Sequence, residues 1–178
     1  MAILASTLSV DAIVKKGPGE SLFENGQDAV SASSTWYQGD LMCFDTSSNI
    51  LRVVAATTDA VTLVGIADNT VIGGKLLGPY AGLTATDAAE KGPGFAGPKY
   101  GVIASLVLKT GDALAVGAKV YLADGLDTKS VSATDPGDHN YIGIYQGPAA
   151  ISSATAGQKI NVLLGARYPA ATAAGLVF

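Results

Sequence analysis

The tightest constraint on the fold is a string of short apolar runs cut by Asp, Ser, Thr, Asn and Gly. They read "GDLMCFD", "NILRVVAA", "AVTLVGIAD" and "NTVIGGKLLG", then "YGVIASLVLKTGDALAVGAKVYLADG", "KSVSA", "NYIGIYQG" and "KINVLLGARY". Branched and aromatic side chains with period-two alternation suit a pleated, half-buried surface, and the polar interruptions suit turns. In "GAKVYLADG", Gly117 to Gly125, Val120 and Leu122 share one face while Lys119, Tyr121 and Ala123 share the other; Asp124-Gly125 then ends the strand. The pattern predicts an all-β fold, a single compact β-barrel or sandwich of short antiparallel strands.

The runs also repeat. Laid over one another without gaps, Gly39 falls on Gly117, Val53 on Val131, Ala55 on Ala133, Gly65 on Gly143 and Ile66 on Ile144, all at an offset of 117 − 39 = 78. The common grammar is a Gly, apolar positions three and five later, a polar turn, a strand and "GI". This predicts two diverged copies of one strand-turn-strand-turn-strand element, each Gly marking a bulge or tight entry where a Cβ is unwelcome. "KGPG" occurs at Lys16 to Gly19 and again at Lys91 to Gly94, outside that offset.

A chain of 178 residues is long enough for one substantial core and short for two full-sized domains. Residues 1–35 lack alternation, and "KKGPGESLFENGQD" is turn chemistry, with Pro18 between glycines and Asn25-Gly26 suited to a tight turn. The expected organisation is an N-terminal arm over 1–35, with room for a short helix over Val10 to Lys15, a β-domain over 36–168 and a C-terminal arm over 169–178. "TATDAAEK" suits a helical turn capped by Thr86 or Asp87, with a loop over Gly92 to Pro98 after it.

Charge argues against a phosphate-tracking protein. The net charge is −4 and the eleven basic residues are scattered, Lys15-Lys16 being the one adjacent pair, whereas nucleic-acid affinity comes largely from Lys and Arg displacing counterions. Charged residues make up 15% of the chain against 48% hydrophobic, a plain surface rich in Ala, Gly, Ser and Thr. The opening "MAILASTLSVDAIVKK" lacks a basic residue ahead of its apolar stretch, and no window has the length of a membrane span, so the expectation is a soluble protein made in a cytoplasm. Cys43, alone in "LMCF", reads as a small buried hydrophobe.

Catalysis needs titratable groups in concert, and the chain offers one histidine, His139, within the turn formers "ATDPGDHNY". Asp135, Asp138 and Asn140 beside it are oxygen donors, but their spacing departs from the alternating calcium loop that closes on a bidentate glutamate; "DGLDT" at Asp124 to Thr128 fails likewise. "GPGFAGPKYG" lacks the lysine-serine ending of a phosphate loop. No enzyme, cofactor or metal is expected. Trp36 and Tyr37, where the arm meets the first strand, suit either a core plug or an aromatic anchor for a partner. With them, Ile3, Leu4, Leu8, Leu176, Val177 and Phe178 on the apolar arms are the candidate partner contacts.

The second block, "GVIASLVLKTGDALAVGAKVYLADG" through "YIGIYQG" to "KINVLLGARY", resembles the small proteins that decorate or cement the heads of tailed bacteriophages, and "GDLMCFD" to "LVGIAD" looks like the front half of the same pattern. The resemblance covers roughly residues 36–168 and leaves "ILASTLSV" unmatched. It implies a compact β-barrel or sandwich, usually a homotrimer, a virion structural protein with the major capsid protein as partner on the outer face of the capsid. From another class, a carbohydrate-binding or adhesin-like β-module of a fibre or cell surface would need clustered exposed aromatics, for which Trp36-Tyr37 and Tyr141 are the nearest candidates.

Overall fold

The structure is a computed structural model, describing residues 20–21, 30–76, 98–123, 130–137, 141–167, 176 and 178. The chain is all-β, as its punctuated runs predict. The first block supplies β1 (Glu20–Ser21), β2 (Leu41–Asp45), β3 (Ile50–Val53), a 3-10 helix (Thr57–Thr62), β4 (Leu63–Ile66), the hairpin β5 (Val71–Ile72) and β6 (Lys75–Leu76), and β7 (Lys99–Tyr100). The second supplies β8 (Ile103–Leu108), β9 (Lys119–Leu122), β10 (Ser130–Ser132), β11 (Gly143–Tyr145) and β12 (Lys159–Leu164).

The β-barrel or sandwich expected over 36–168 takes the form of a closed barrel beside an antiparallel sheet: strands β8 to β12 close the barrel, while the first block forms a sheet in the order β1-β7-β4-β2-β3 and the two-stranded β5-β6. One pair departs from the antiparallel rule: β10 joins β8 parallel, with Ser130 opposite Val107 and Val131 opposite Leu108. The reason is parity, because a closed ring with an odd number of strands cannot alternate direction throughout and must contain a parallel pair. Two further departures are local. Ala60 to Thr62, read as strand, belong to the 3-10 helix, and Glu20–Ser21, within the expected arm, pair with β7.

The repeat is real at the level of individual hydrogen bonds. Gly39 N–H donates to Ala67 O at 2.9 Å, and 78 residues on Gly117 N–H donates to Tyr145 O at 3.1 Å. Asp40 N–H to Tyr37 O and Ala67 N–H to Asp40 O are likewise matched by Ala118 N–H to Ala115 O and Tyr145 N–H to Ala118 O. Strand register follows: Met42 opposes Gly65 as Val120 opposes Gly143. The isolated bridge Trp36–Val71 has its counterpart in Leu114–Ile151.

Both glycine pairs have a physical reason. Gly39 and Gly117 hold φ of 91° and 77°, backbone that a Cβ disfavours. A Cβ on Gly65 would lie 2.1 Å from Lys99 O, and one on Gly143 would lie 2.4 Å from Leu163 O. Each glycine lets the next strand of its own sheet come close.

Even the strand order is the same twice. Ile66 opposes Lys99, which opposes Ser21; Ile144 opposes Leu163, which opposes Ile103. Hence β1-β7-β4-β2-β3 corresponds, strand for strand, to β8-β12-β11-β9-β10. The second copy is closed between β10 and β8; among the described strands the first is open between β3 and β1.

Among the described residues, two clusters make the core. Trp36, Met42, Phe44, Leu51, Val64, Ala67 and Val71 form one of them, within the first copy. The other cluster fills the barrel with Leu106, Val120, Leu122, Val131, Ile142 and Val162, and extends to Leu41, Cys43, Leu63 and Ile66 on the opposite face of the first sheet. Strand β2 is therefore buried on both faces, which explains why "LMCF" is apolar without alternation. The shared cluster fuses the copies into one hydrophobic body.

Candidate functional site

Trp36 is only 2% exposed, its ring enclosed by the first cluster, so its large apolar area stabilises the fold from within. Tyr37 next to it is half-buried, with its N–H donating to Asp40 Oδ2 at 2.8 Å. Leu176 is half-buried and Phe178 is 48% exposed, its backbone running beside Gly101 at the entry to β8. Ile3, Leu4, Leu8 and Val177 lie outside the described residues, as do the helices expected over Val10 to Lys15 and in "TATDAAEK", both "KGPG" segments and almost all of the loop over Gly92 to Pro98.

Three polar clusters were not foreseen. In the first, Arg52 on β3 grips Asp59 with both arms, Nη1 to Oδ2 at 2.8 Å and Nη2 to Oδ1 at 2.6 Å. Asp59 Oδ2 also accepts the N–H groups of Ala55 and Ala56 at 2.7 and 3.0 Å. Burial pushes the Asp59 carboxyl up, but the Arg52 fork and the two amides outweigh it and hold it below the usual carboxylate range. The hydrogen bonds to Asp59 in turn raise Arg52.

Asp45, 4.0 Å from Arg52 Nε, is drawn down to about 2 by hydrogen bonds from the Ser47 hydroxyl and amide. Cys43 donates to Arg52 O at 3.7 Å, and burial pushes its thiol up to about 12, so at neutral pH it is a packed thiol and not a nucleophile. The cluster anchors the crossing from β3 through the 3-10 helix to β4.

In the second cluster, Asp112 Oδ2 accepts the Ser132 hydroxyl at 2.6 Å and Ala133 N–H at 2.8 Å, while Ser132 Oγ accepts Thr134 N–H at 3.0 Å. The serine and carboxylate are engaged in tying the turn after β8 to the end of β10. Beside them a shallow cleft of about 340 Å³ opens between Leu108, Lys109, Ala123 and Ser130.

The third is a stack. Lys119 Nζ stands 4.6 Å and the Arg167 guanidinium carbon 5.2 Å from the centre of the Tyr141 ring. Arg167 is buried; its N–H donates to Leu63 O at 2.7 Å and its Nη1 to Ala60 O at 3.1 Å, so it rivets the barrel to the first copy. A lone arginine just after an apolar strand was the one visible signal, and its partners more than a hundred residues earlier left none.

Asp135 Oδ1 accepts Gly137 N–H at 2.9 Å, the turn role that Asp takes in such sequences. Asp138, His139 and Asn140 lie outside the described residues, with Asp124 to Thr128. Among the described residues no three of His, Cys, Asp and Glu gather as a metal-ligand set. What stands out on the surface is apolar: Val116 is 55% exposed on the turn entering β9, Ile72 42% on the β5–β6 hairpin and Val61 41% on the 3-10 helix. Compared with known proteins, the chain matches no family model and no curated sequence.

Proposed function

We propose that the protein is a virion structural protein that binds the outer surface of an assembled phage capsid and stabilises the head, with the major capsid protein as its partner. The observation that carries this reading is the second copy. The pieces on which the head-protein resemblance rests, "GVIASLVL", "GAKVYL", "YIGIY" and "KINVLL", hold four of the five successive staves of one closed barrel. The described polar clusters support it too, since each is engaged in holding turns or joining the two copies.

The role needs no reactive group. A shell packed with DNA is pushed outward, and a module that binds only assembled junctions stabilises that state by mass action. Several weak apolar contacts on one oligomer add through effective concentration. The test is to mix the purified chain with precursor shells and with expanded shells, pellet both and count copies bound. Saturable binding to expanded shells, with a raised temperature of shell disruption, is the expected result. A chain that stays in the supernatant with both overturns the reading.

A further inference from the structure

The turns leading into β2 and β9 lie at matching ends of the two copies, and there the copies differ. Leu114 opposes Ile151 as Trp36 opposes Val71. Leu114 is buried in the core and Ile151 packs against it, so their neighbours Ala115 and Ala150, opposite each other, point outward. In the first copy the same two places hold Tyr37 and Thr70. Thr70 closes that end, its Oγ1 accepting the Gln38 N–H at 3.0 Å. The matching donor in the second copy is the Val116 N–H, and Ala150 has no side-chain oxygen to meet it.

The result is an apolar tip. Ala113, Ala115, Val116, Pro148, Ala149 and Ala150 are all exposed, Val116 at 55%. No charged residue occurs in 113–118 or 146–157. The tip is also held in place: Leu114 and Ile151 exchange two backbone bonds at 2.8 Å, Ala118 N–H closes the turn on Ala115 O at 3.1 Å, and Tyr145 Oη donates to Ala149 O at 2.9 Å. A fixed apolar patch loses little conformational freedom on binding, and the centre of a protein interface is poor in charge.

We propose that this tip, on the capsid-binding reading above, is the surface that meets the shell, and that it takes an uncharged, apolar patch of the major capsid protein offering a backbone carbonyl to the Val116 N–H. Charge complementarity selects the occupant, since a tip without charge matches neither phosphate nor an acidic or basic surface. Size argues against a second copy of this chain, because a stable one-to-one interface takes about 20–30 residues a side and the tip is far smaller. A small contact suits a surface that repeats, where many weak contacts add.

The experiment is pelleting with expanded shells of the natural chain, Ala150→Glu, Ala150→Thr and Ile72→Asp, each checked for fold by circular dichroism. Ala150→Glu puts a charge at the centre of the tip and should weaken binding about tenfold or more. Ala150→Thr gives the Val116 N–H the acceptor that the first copy has, and should weaken binding about threefold or more. Ile72→Asp, at the matching end of the first copy, should bind as the natural chain does. Binding of the natural chain should change less than about twofold between about 50 and 500 mM salt. Ala150→Glu within about twofold of the natural chain, Ala150→Thr at full affinity, equal losses at Ile72 and Ala150, or about a tenfold loss with salt each overturn the proposal. So does a lower sedimenting mass for Ala150→Glu, which makes the tip a contact between copies. A natural chain that pellets with no shell overturns the capsid reading itself, so the two failures are told apart.

Discussion

At Gly65 and Gly143 one missing atom decides the packing of a strand pair. Each faces the carbonyl of the neighbouring strand at a distance no Cβ tolerates, so Gly65→Ala and Gly143→Ala should each cost about 2–4 kcal/mol in urea unfolding. Gly157→Ala is the control; it has open space and only a positive φ of 72°, for an expected loss of about 1 kcal/mol. Equal and small losses at all three would remove the close-approach argument. Protonation acts at the same scale. The carboxyls of Asp59 and Asp45 are both lowered in the folded state, so their contribution is complete above the unfolded value of about 4 and fades as pH falls through the folded values. Asp59→Asn should therefore lose about 1–3 kcal/mol at pH 7, discounted for the partly exposed Arg52, and should flatten the dependence of stability on pH below 4. The glycines were legible because a backbone need recurs at a fixed offset. Arg52 with Asp59 was not, because a salt bridge across a loop leaves no period in the sequence.

Elements were legible where side chains alternate and less so where closure or a cap decides. Strands β2, β3, β4, β9, β10, β11 and β12 fall within runs identified from the sequence. Ala60 to Thr62, at the head of "AVTLVGIAD", look like strand by their branched residues, yet the Asp59 carboxylate binds the amides of Ala55 and Ala56 and turns the chain into a 3-10 helix. "NTVIGGKLLG" reads as one run, and Gly73-Gly74 folds it into the β5–β6 hairpin. The parallel pairing of β10 with β8 follows from ring parity, which no local pattern records. Trp36 was weighed as plug and as anchor; its burial depends on Val71 and Met42 arriving from other strands. If the proposed capsid binding holds, its contacts at this scale are on turn tips. The turn at Ala115 to Ala118 carries exposed Val116, where the first copy has Gln38. Val116→Asp should weaken binding to expanded shells about tenfold or more, with unfolding unchanged within about 0.5 kcal/mol. Unaltered shell binding would take this turn out of the contact surface.

The whole molecule is one barrel plan used twice and joined by a common core. The first copy does not close on itself among the described strands, and Leu41, Cys43, Leu63 and Ile66 on one of its faces share the cluster that fills the second copy. Arg167, reaching Leu63 O and Ala60 O, reinforces that seam. An open sheet with an apolar face packed into its neighbour's cluster has little independent stability, so the copies should unfold as one unit. Amide hydrogen exchange on the full chain tests this directly at matched positions. The N–H groups of Trp36, Gly39, Ala67 and Val71 make the same bonds in the first copy as those of Leu114, Gly117, Tyr145 and Ile151 in the second. The account predicts one opening free energy for both sets, lowered together by Leu63→Ala. Exchange of the first set at a distinctly lower free energy, with the second unaffected by Leu63→Ala, would contradict it.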